Sequence, residues 1–323
     1  MHIHEKITSE VRSHSIVRGH HPPIVCVVIP TYNRPDRLKE CLEALSLQSI
    51  PRSQFEVIVV DDGSIVPVYP VVEAFNERLN LKLVRQTNSG PATARNRGVQ
   101  ESQAELIAFT DDDCRPRPDW LRRLMDAEEL YPGSLIGGST VNGLPDGLCS
   151  STNQFITDLV YHHFNRDPFN STFLASNNML CRRPAFLEIG GFDVGFPLAG
   201  GEDRDFCDRW RSSGQRIVWH NEAVIDHFHS QSLTGFLELH FRYGRGAYAY
   251  QSERRIRGTG NIRDDLGFQT SLMGFLKTHL FTRFGLLNGM RMLTLLALWQ
   301  CANTGGFLFA SLQDRMKGKK KSV

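Results

Sequence analysis

The sequence predicts an α/β fold in which a mostly parallel sheet is flanked by helices. Short apolar runs rich in β-branched residues alternate with stretches whose apolar residues recur at helical spacing. The links between them are short, so successive strands are joined by helical crossovers, as parallel pairing requires. The 323 residues, 41% of them apolar, are enough for one large domain or for one domain with an appendage.

The first strand is Ile24 to Ile29, and Pro30-Thr31-Tyr32-Asn33-Arg34-Pro35 breaks it. Asp36 to Gln48 sets Leu38, Leu42 and Leu45 on one helical face. Phe55 to Val60 is the second strand and runs into Asp61-Asp62-Gly63-Ser64. A helix around Val71 to Arg78 follows, then a third strand, Leu81 to Arg85. After the turn Asn88-Ser89-Gly90-Pro91 comes a helix from Ala92 to about Ser102, then the strand Leu106 to Phe109. Further on, Ser176 to Leu180 reads as a strand or strand edge, Pro184 to Ile189 as a short helix, and Gly190-Gly191-Phe192-Asp193 as a tight turn. Gly200-Gly201-Glu202-Asp203 leads a helix, Arg204 to Ser213, with Phe206 and Trp210 as an apolar i, i+4 pair and Gly214 as its stop. Arg216 to Trp219 and Ala223 to His227 are short strands.

From Leu233 onward the chain reads as aromatic and basic helices, which divides it into three parts. These are a disordered lead-in over 1–23, a main domain over 24–232, and a helical C-terminal extension over 233–323. The lead-in carries His2, His4, His14, His20 and His21 but no apolar stretch, so it does not read as a signal peptide. Met292 to Ala310 has no formal charge but includes Gln300, Asn303 and Thr304, which makes it marginal against the about 20 apolar residues of a spanning helix. Three uses stay open for it: packing on the domain, a homodimer seam, or peripheral contact with a membrane. Arg315, Lys317, Lys319, Lys320 and Lys321 would favour the last, at about 1 kcal/mol per basic residue on an anionic surface.

The formal charge of +2, from 37 basic and 35 acidic residues, gives no global field for nucleic acid. Seven cysteines without paired spacing fit a reducing cytoplasm rather than a disulfide framework.

Chemistry concentrates where strands end. Polar clusters follow Ile29, Val60 and Phe109, and in an open α/β sheet such ends converge on one crevice. The last cluster is Asp111-Asp112-Asp113. Three adjacent carboxylates repel one another and benefit from a cation, and oxygen-only ligands suit Mg²⁺ or Mn²⁺. Standing alone, such a run also reads as a solvated acidic turn.

Together these strings resemble the family-2 glycosyltransferases, which are inverting enzymes of GT-A fold. The resemblance rests on Val27-Val28-Ile29-Pro30-Thr31-Tyr32-Asn33-Arg34, Val57 to Ser64, Gly90-Pro91-Ala92 with Ala94-Arg95-Asn96, the Asp triplet, Gly190 to Asp193, and Gly201-Glu202-Asp203. It covers roughly residues 24 to 230, with all six strings in order. It implies a nucleotide-diphospho-sugar transferase, with UDP-sugar as the family's commonest donor, a carbohydrate or lipid-linked acceptor, and Mn²⁺ or Mg²⁺ as cofactor. By position, Pro30 and Tyr32 line the base pocket, Asp62 accepts from a ring N–H, and Asp61 caps its own turn. Arg95 contacts diphosphate or ribose. Asp113 is the metal ligand, Asp111 or Asp112 touches ribose or sugar, and His227, rather than His229, is an additional ligand. Asp203 is the base.

The resemblance also implies synthesis of a cell-surface polysaccharide, glycolipid or lipid-linked oligosaccharide, in the cytoplasm or at the inner face of the cell membrane. The Gln-x-x-Arg-Trp motif of processive synthases is missing, since Arg209-Trp210 lies too close to Asp203, and single addition is expected. Asn177 and Asn178 read either as acceptor-side residues or as strand-edge structure. Two other functions compete. A sugar-nucleotide nucleotidyltransferase would carry a glycine-rich loop where Pro30 to Arg34 stands. A catalytically silent scaffold would rarely keep Asp62, Asp113 and Asp203 together.

Overall fold

The computed structural model describes residues 23–196, 200–259 and 262–320, with backbone alone for 262–266, 269 and 317–320. The expected lead-in, apart from Pro23, and Lys321 of the basic tail lie outside the described residues.

β1 (Val25–Thr31) is buried along its whole length, as a β-branched run becomes when helices cover both faces of its sheet. It pairs in parallel with β2 (Phe55–Asp61), Thr31 opposite Asp61, and with β4 (Leu106–Phe109), Val28 opposite Phe109. β3 (Leu81–Arg85) extends this parallel half beyond β2. The crossovers are α1 (Pro35–Ser46), α2 (Tyr69–Glu73) and α3 (Pro91–Glu101). The helix expected over Val71 to Arg78 is therefore only a short α2. Asn76 and the β-branched Val71 and Val72 are weak helix formers. The chain beyond Glu73 turns instead, so that Phe75 and Leu79 reach the core.

The second half contains β5 (Cys114–Pro116), α4 (Trp120–Leu130), β6 (Leu135–Asn142), α5 (Leu148–Phe164), β7 (Met179–Arg182), α6 (Arg183–Ile189), α7 (Glu202–Ser212) and β8 (Ile217–His227). The sheet order is β3-β2-β1-β4-β7-β6-β8-β5. β7 runs antiparallel to β4 and β6, and β5 antiparallel to β8, so the sheet is parallel in its first half and mixed beyond. Ser176–Asn178 is a 3₁₀ turn that leads into β7. The two short strands expected at 216–227 are one strand, irregular opposite Gly137 and Ser139 of β6.

Alternate residues of β1 feed two cores. Val25, Val27 and Ile29 pack with Leu38, Leu42 and Trp120, while Cys26 and Val28 pack on the side of Phe109, Phe186, Phe206 and Trp210. All seven cysteines are free thiols.

The extension folds as α8 (Leu233–Arg257), α9 (Ile262–Phe275), a π-helical turn at Leu276–Leu280, and α10 (Phe281–Lys320), which is broken at Gly285. Phe155 and Leu159 of α5 join Phe236, Leu295 and Trp299 in a third core, so the extension packs on the domain. Where α8 crosses α10 the backbones touch: a Cβ on Gly306 would lie 2.0 Å from the Phe241 carbonyl oxygen. α10 also leaves Leu286, Leu287, Met290 and Leu312 exposed, and Thr270–Met316 is long and apolar enough to cross a membrane by length and composition.

Candidate active site

The parallel register brings Thr31, Asp61 and the residues after Phe109 to one edge of the sheet. Because β7 is antiparallel to β4, the turn before it, Ser176–Asn178, arrives at that same edge. α7 starts beside it, and a cleft of 2090 Å³ opens there. Pro30, Tyr32, Asp62, Arg95, Asp111, Asp112, Asp113, Asp203 and His227 all line this cleft.

The three carboxylates of the triplet have different surroundings, although Asp112 and Asp113 share Arg34. Asp112 is buried, accepts from the Thr31 hydroxyl at 2.8 Å and pairs with Arg34 at 3.2 Å. Burial pushes its carboxyl up to about 7 despite Arg34, and Asp113 adds to the rise. Asp111, the more accessible of the three, pairs with Arg95 at 2.6 Å. Antiparallel pairing sets Cys114 opposite His227, and the Phe228 N–H donates to the Asp113 carbonyl at 2.9 Å. Asp113 therefore lies 3.3 Å from His227 Nε2 and 3.5 Å from His229 Nδ1. Burial opposes its charge, but the two imidazoles and Arg34 outweigh it and hold the carboxyl well below the usual range.

Ligand atoms of Asp113, Cys114 and His227 lie within 4.8 Å of one another. Burial raises the Cys114 thiol well above its ordinary value, with the acidic neighbours adding, which disfavours the thiolate form that ligates metals. The usable donor set is carboxylate oxygen and imidazole nitrogen, which fits a divalent ion such as Mn²⁺.

On the opposite wall, α7 begins at Gly200-Gly201, whose φ values of +134° and +101° disfavour side chains. A Cβ on Gly201 would also meet the Gly246 carbonyl oxygen of α8 at 2.7 Å. This turn aims Glu202 and Asp203 at Arg95. The buried guanidinium lies 3.8 Å from Glu202 and stays protonated against its burial, because Asp111, Asp203 and Glu202 surround it. Burial raises Glu202 to about 7, and the Asp203 charge adds to it. Burial raises Asp203 as well, against Arg95 and Ser176. Asp203 Oδ2 accepts the Ser176 N–H at 3.1 Å, while its buried Oδ1 has no protein partner.

Asp62 sits below the first-strand loop. Its Oδ1 accepts from Gln86 Nε2 at 2.8 Å and the Ser89 N–H at 2.9 Å, and its Oδ2 from the Gly90 N–H at 2.9 Å. One lone pair of Oδ2 is left over. Asp61 accepts from the Ser64 N–H at 2.8 Å, the turn-capping role expected of it. Tyr32 is 44% exposed at the rim.

Several features escaped the sequence. Arg34 is the counter-charge of the triplet, and His229 reaches Asp113 almost as closely as His227 does. The two asparagines divide: Asn177 lines the cleft, whereas Asn178 is fully buried and holds the Trp120 indole N–H and the Ser139 and Ala223 carbonyls. Arg209 bonds to Asp205 and to the carbonyls of Ile189 and Gly191, and Trp210 is core. The extension also walls the cleft, through Tyr243, Ala247 and Tyr250 of α8 and Asn303 and Phe307 of α10.

Comparison with known proteins agrees with this architecture. The family model described as Glycosyl transferase family 2 matches residues 26–190, just over half of the chain, and that of the N-terminal domain of galactosyltransferase matches 159–231. Glycosyltransferase AglE of Haloferax volcanii is 27% identical over 231 residues, 69% of this chain and 73% of that protein. The validoxylamine A glucosyltransferase of Streptomyces hygroscopicus is 29% identical over 67% of this chain and 59% of its own length. For the pre-mycofactocin glycosyltransferase of Mycobacterium tuberculosis the values are 29%, 69% and 46%, so the chain spans only about half the length of some relatives. Among solved structures, the mannosyltransferase PcManGT from Pyrobaculum calidifontis, in complex with GDP-Man and Mn²⁺, superposes with a TM-score of 0.63 at 19% identity, covering 92% of this chain and 88% of that one. The TarS 1–349 fragment of S. aureus with UDP-GlcNAc gives 0.51 at 17% identity, over 91% and 92%. Fold, cleft and family match converge: the chain is a glycosyltransferase of family 2 with a GT-A fold.

Proposed function

We propose that this enzyme moves a sugar from a nucleotide-diphospho-sugar to an acceptor hydroxyl by direct displacement with inversion, in a metal-dependent reaction. The observation that carries this reading is the unpartnered, buried Oδ1 of Asp203, raised in basicity and facing the same cleft as the Asp113–His227 pair.

Pro30 and Tyr32 border the base site, with the Tyr32 ring available for stacking. The remaining lone pair of Asp62 Oδ2 accepts a ring N–H. Asp113 and His227, with His229 beside them, would hold a divalent ion, which would supply Lewis-acid neutralisation of the departing diphosphate. Asp111 is the accessible carboxylate for a ribose or sugar hydroxyl. Asp112, enclosed by Thr31 and Arg34, positions the triplet. Arg95 holds Asp111 and the start of α7 together and presents positive charge toward the diphosphate. Asp203 Oδ1 takes the acceptor proton as the acceptor oxygen forms its bond to the anomeric carbon, while the bond from that carbon to the diphosphate oxygen breaks. The diphosphate leaves from the opposite face, with no covalent enzyme intermediate.

Residues 24–232 form the transferase domain and 233–323 an extension that completes the acceptor side. The exposed apolar face of α10, followed by its basic end, serves as a peripheral foot on an anionic membrane surface, which places the enzyme at the cytoplasmic face. A lipid-linked or cell-surface carbohydrate acceptor suits that position.

The test is nucleotide release from a panel of UDP-, GDP- and dTDP-sugars, with Mn²⁺ and with chelator, for the wild type and Asp113→Asn. The reading requires release from one donor that needs metal and is lost in the variant. Metal-independent release, or none from any donor despite a folded protein, would overturn it.

A further inference from the structure

The wall that α8 gives to the cleft carries a large aromatic side chain that packing alone does not explain. Tyr243 lines the cleft and is 42% exposed. His240, one helical turn before it with ring centroids 5.8 Å apart, is buried, and so is Trp299 of α10, 6.2 Å from His240. Of these three rings, Tyr243 is the one presented to the open cleft.

Backbone contacts after Tyr243 fix where its ring sits. A Cβ on Gly244 would lie 1.9 Å from the Asn303 carbonyl oxygen of α10, and one on Gly246 would lie 1.8 Å from the Gly200 carbonyl oxygen. α8 is thus held against α10 and against the turn into α7 at once. A Cβ on Gly200 would meet Tyr243 Cδ1 at 2.7 Å, so the ring lies against the turn that delivers Glu202 and Asp203. A tyrosine laid on a glycine ordinarily covers backbone, and a hydroxyl buried by that packing finds a protein partner. Among the described residues the Tyr243 hydroxyl makes no hydrogen bond. Desolvation within the cleft, then the charges of Glu202 and Asp203, raise the phenol, so its O–H stays intact as a donor within the fields of both carboxylates.

From this geometry we propose that Tyr243 is the platform of the acceptor subsite, and that the reacting hydroxyl of the acceptor belongs to a sugar ring. A phenol is an apolar body with a polar tip. A pyranose answers both parts, with a face of C–H groups to lie on the ring and hydroxyls to bond to the O–H. An alkyl alcohol covers the ring but has no second hydroxyl for the phenol, and glycerol has hydroxyls but no apolar face. With the sugar seated on Tyr243, one of its hydroxyls gives its proton to Asp203 and bonds to the anomeric carbon as the bond from that carbon to the diphosphate breaks. The extension, through α8, then supplies a substrate contact to a site otherwise built from the main domain. This inference rests on the transferase reading and adds the acceptor's chemical class to it.

The test is product analysis by mass spectrometry on the full chain with Mn²⁺ and the sugar nucleotide that supports release. The probes are the methyl glycosides of glucose, galactose, mannose, N-acetylglucosamine, xylose and rhamnose, with glycerol and hexanol at equal concentration as non-sugar alcohols. The readout is the ratio of glycosylated acceptor to hydrolysed donor, in which effects common to both routes cancel. At least one glycoside should exceed both alcohols by about tenfold or more in the wild type, and Tyr243→Ala should lower that ratio by about tenfold. Tyr243→Phe keeps the ring, gives up one hydrogen bond to the acceptor and should lower it by about threefold. Its lost hydroxyl has no protein partner, so it folds as the wild type does even if Tyr243→Ala does not. Equal ratios for glycosides and alcohols, donor release without transfer to any glycoside, or a ratio unchanged in both variants would each overturn the proposal and leave the transferase reading standing. Absence of both release and transfer from every donor would overturn the two together.

Discussion

Glu202→Gln should stabilise the protein, and should do so only above a definite pH. Glu202 is buried between Arg95 and Asp203, and its carboxyl is raised from 4.5 to about 7, by burial first and by the Asp203 charge second. A carboxyl whose folded value lies above its unfolded one favours folding below the unfolded value. That contribution is lost as pH rises through the folded value. At 1.36 kcal/mol per unit, the charged form costs the native state about 3 kcal/mol at pH 8 relative to pH 4. Glutamine keeps an acceptor for the Gly200 N–H, which donates to Glu202 Oε2 at 2.5 Å, and carries no charge. Urea unfolding of wild type and variant at pH 4.5 and pH 8 isolates this side chain, because Asp112, which titrates in the same range, is common to both proteins. The variant's advantage should grow between the two pH values, by up to about 3 kcal/mol. Repulsion between neighbouring carboxylates is mutual, so if Asp203 is the base as proposed, the acid limb of kcat/KM should also move to lower pH. A stability difference independent of pH, or a variant less stable at pH 8, would refute the reasoning.

Other perturbations reach separate parts of the account. Gly306→Ala puts a methyl group 2.0 Å from the Phe241 carbonyl oxygen and must push α10 from α8; about 1–3 kcal/mol should be lost in chemical denaturation. His229→Ala should weaken Mn²⁺ binding by 10- to 100-fold, measured by metal titration, if the ring completes the site beside Asp113; unchanged affinity would leave His227 and Asp113 as the protein's ligands. Leu286→Glu/Leu287→Glu, at positions 72% and 61% exposed, should abolish sedimentation with anionic vesicles while leaving donor hydrolysis unchanged.

The sequence makes the parallel half of the fold legible because each strand there is a short β-branched run with a polar cluster at its end. β1, β2 and β4 fall within a residue or two of their expected bounds. α4 and α5 went unassigned. In α5 the apolar residues are interleaved with Asn153, Gln154, Thr157 and His163, since one side of that helix faces a polar cleft and the other a core. Strand ends pointed to a shared crevice and the family resemblance named candidate residues in it, but their pairing could not be read. That Arg34 answers Asp112, or that Arg95 ties Asp111 to Glu202, depends on strand register and on the entry angle of α7. The extension was the least legible part. Its apolar run left packing, dimerisation and membrane contact all open, whereas close backbone approach at Gly244 and Gly306 packs α8 and α10 together beside the cleft. Such contacts join residues about sixty positions apart in the chain, which no local periodicity reveals.

In the proposed reaction Asp203 Oδ1 removes the acceptor proton. Donor turnover by Asp203→Asn, measured beside its donor affinity at saturating Mn²⁺, addresses that step most directly. Loss of a positioned general base should cut turnover by about 10²- to 10⁴-fold, with donor binding and unfolding midpoint no worse than wild type. Turnover within a few-fold of wild type, with the donor bound normally, would contradict the assignment and send the search for the base back to the other carboxylates of the cleft.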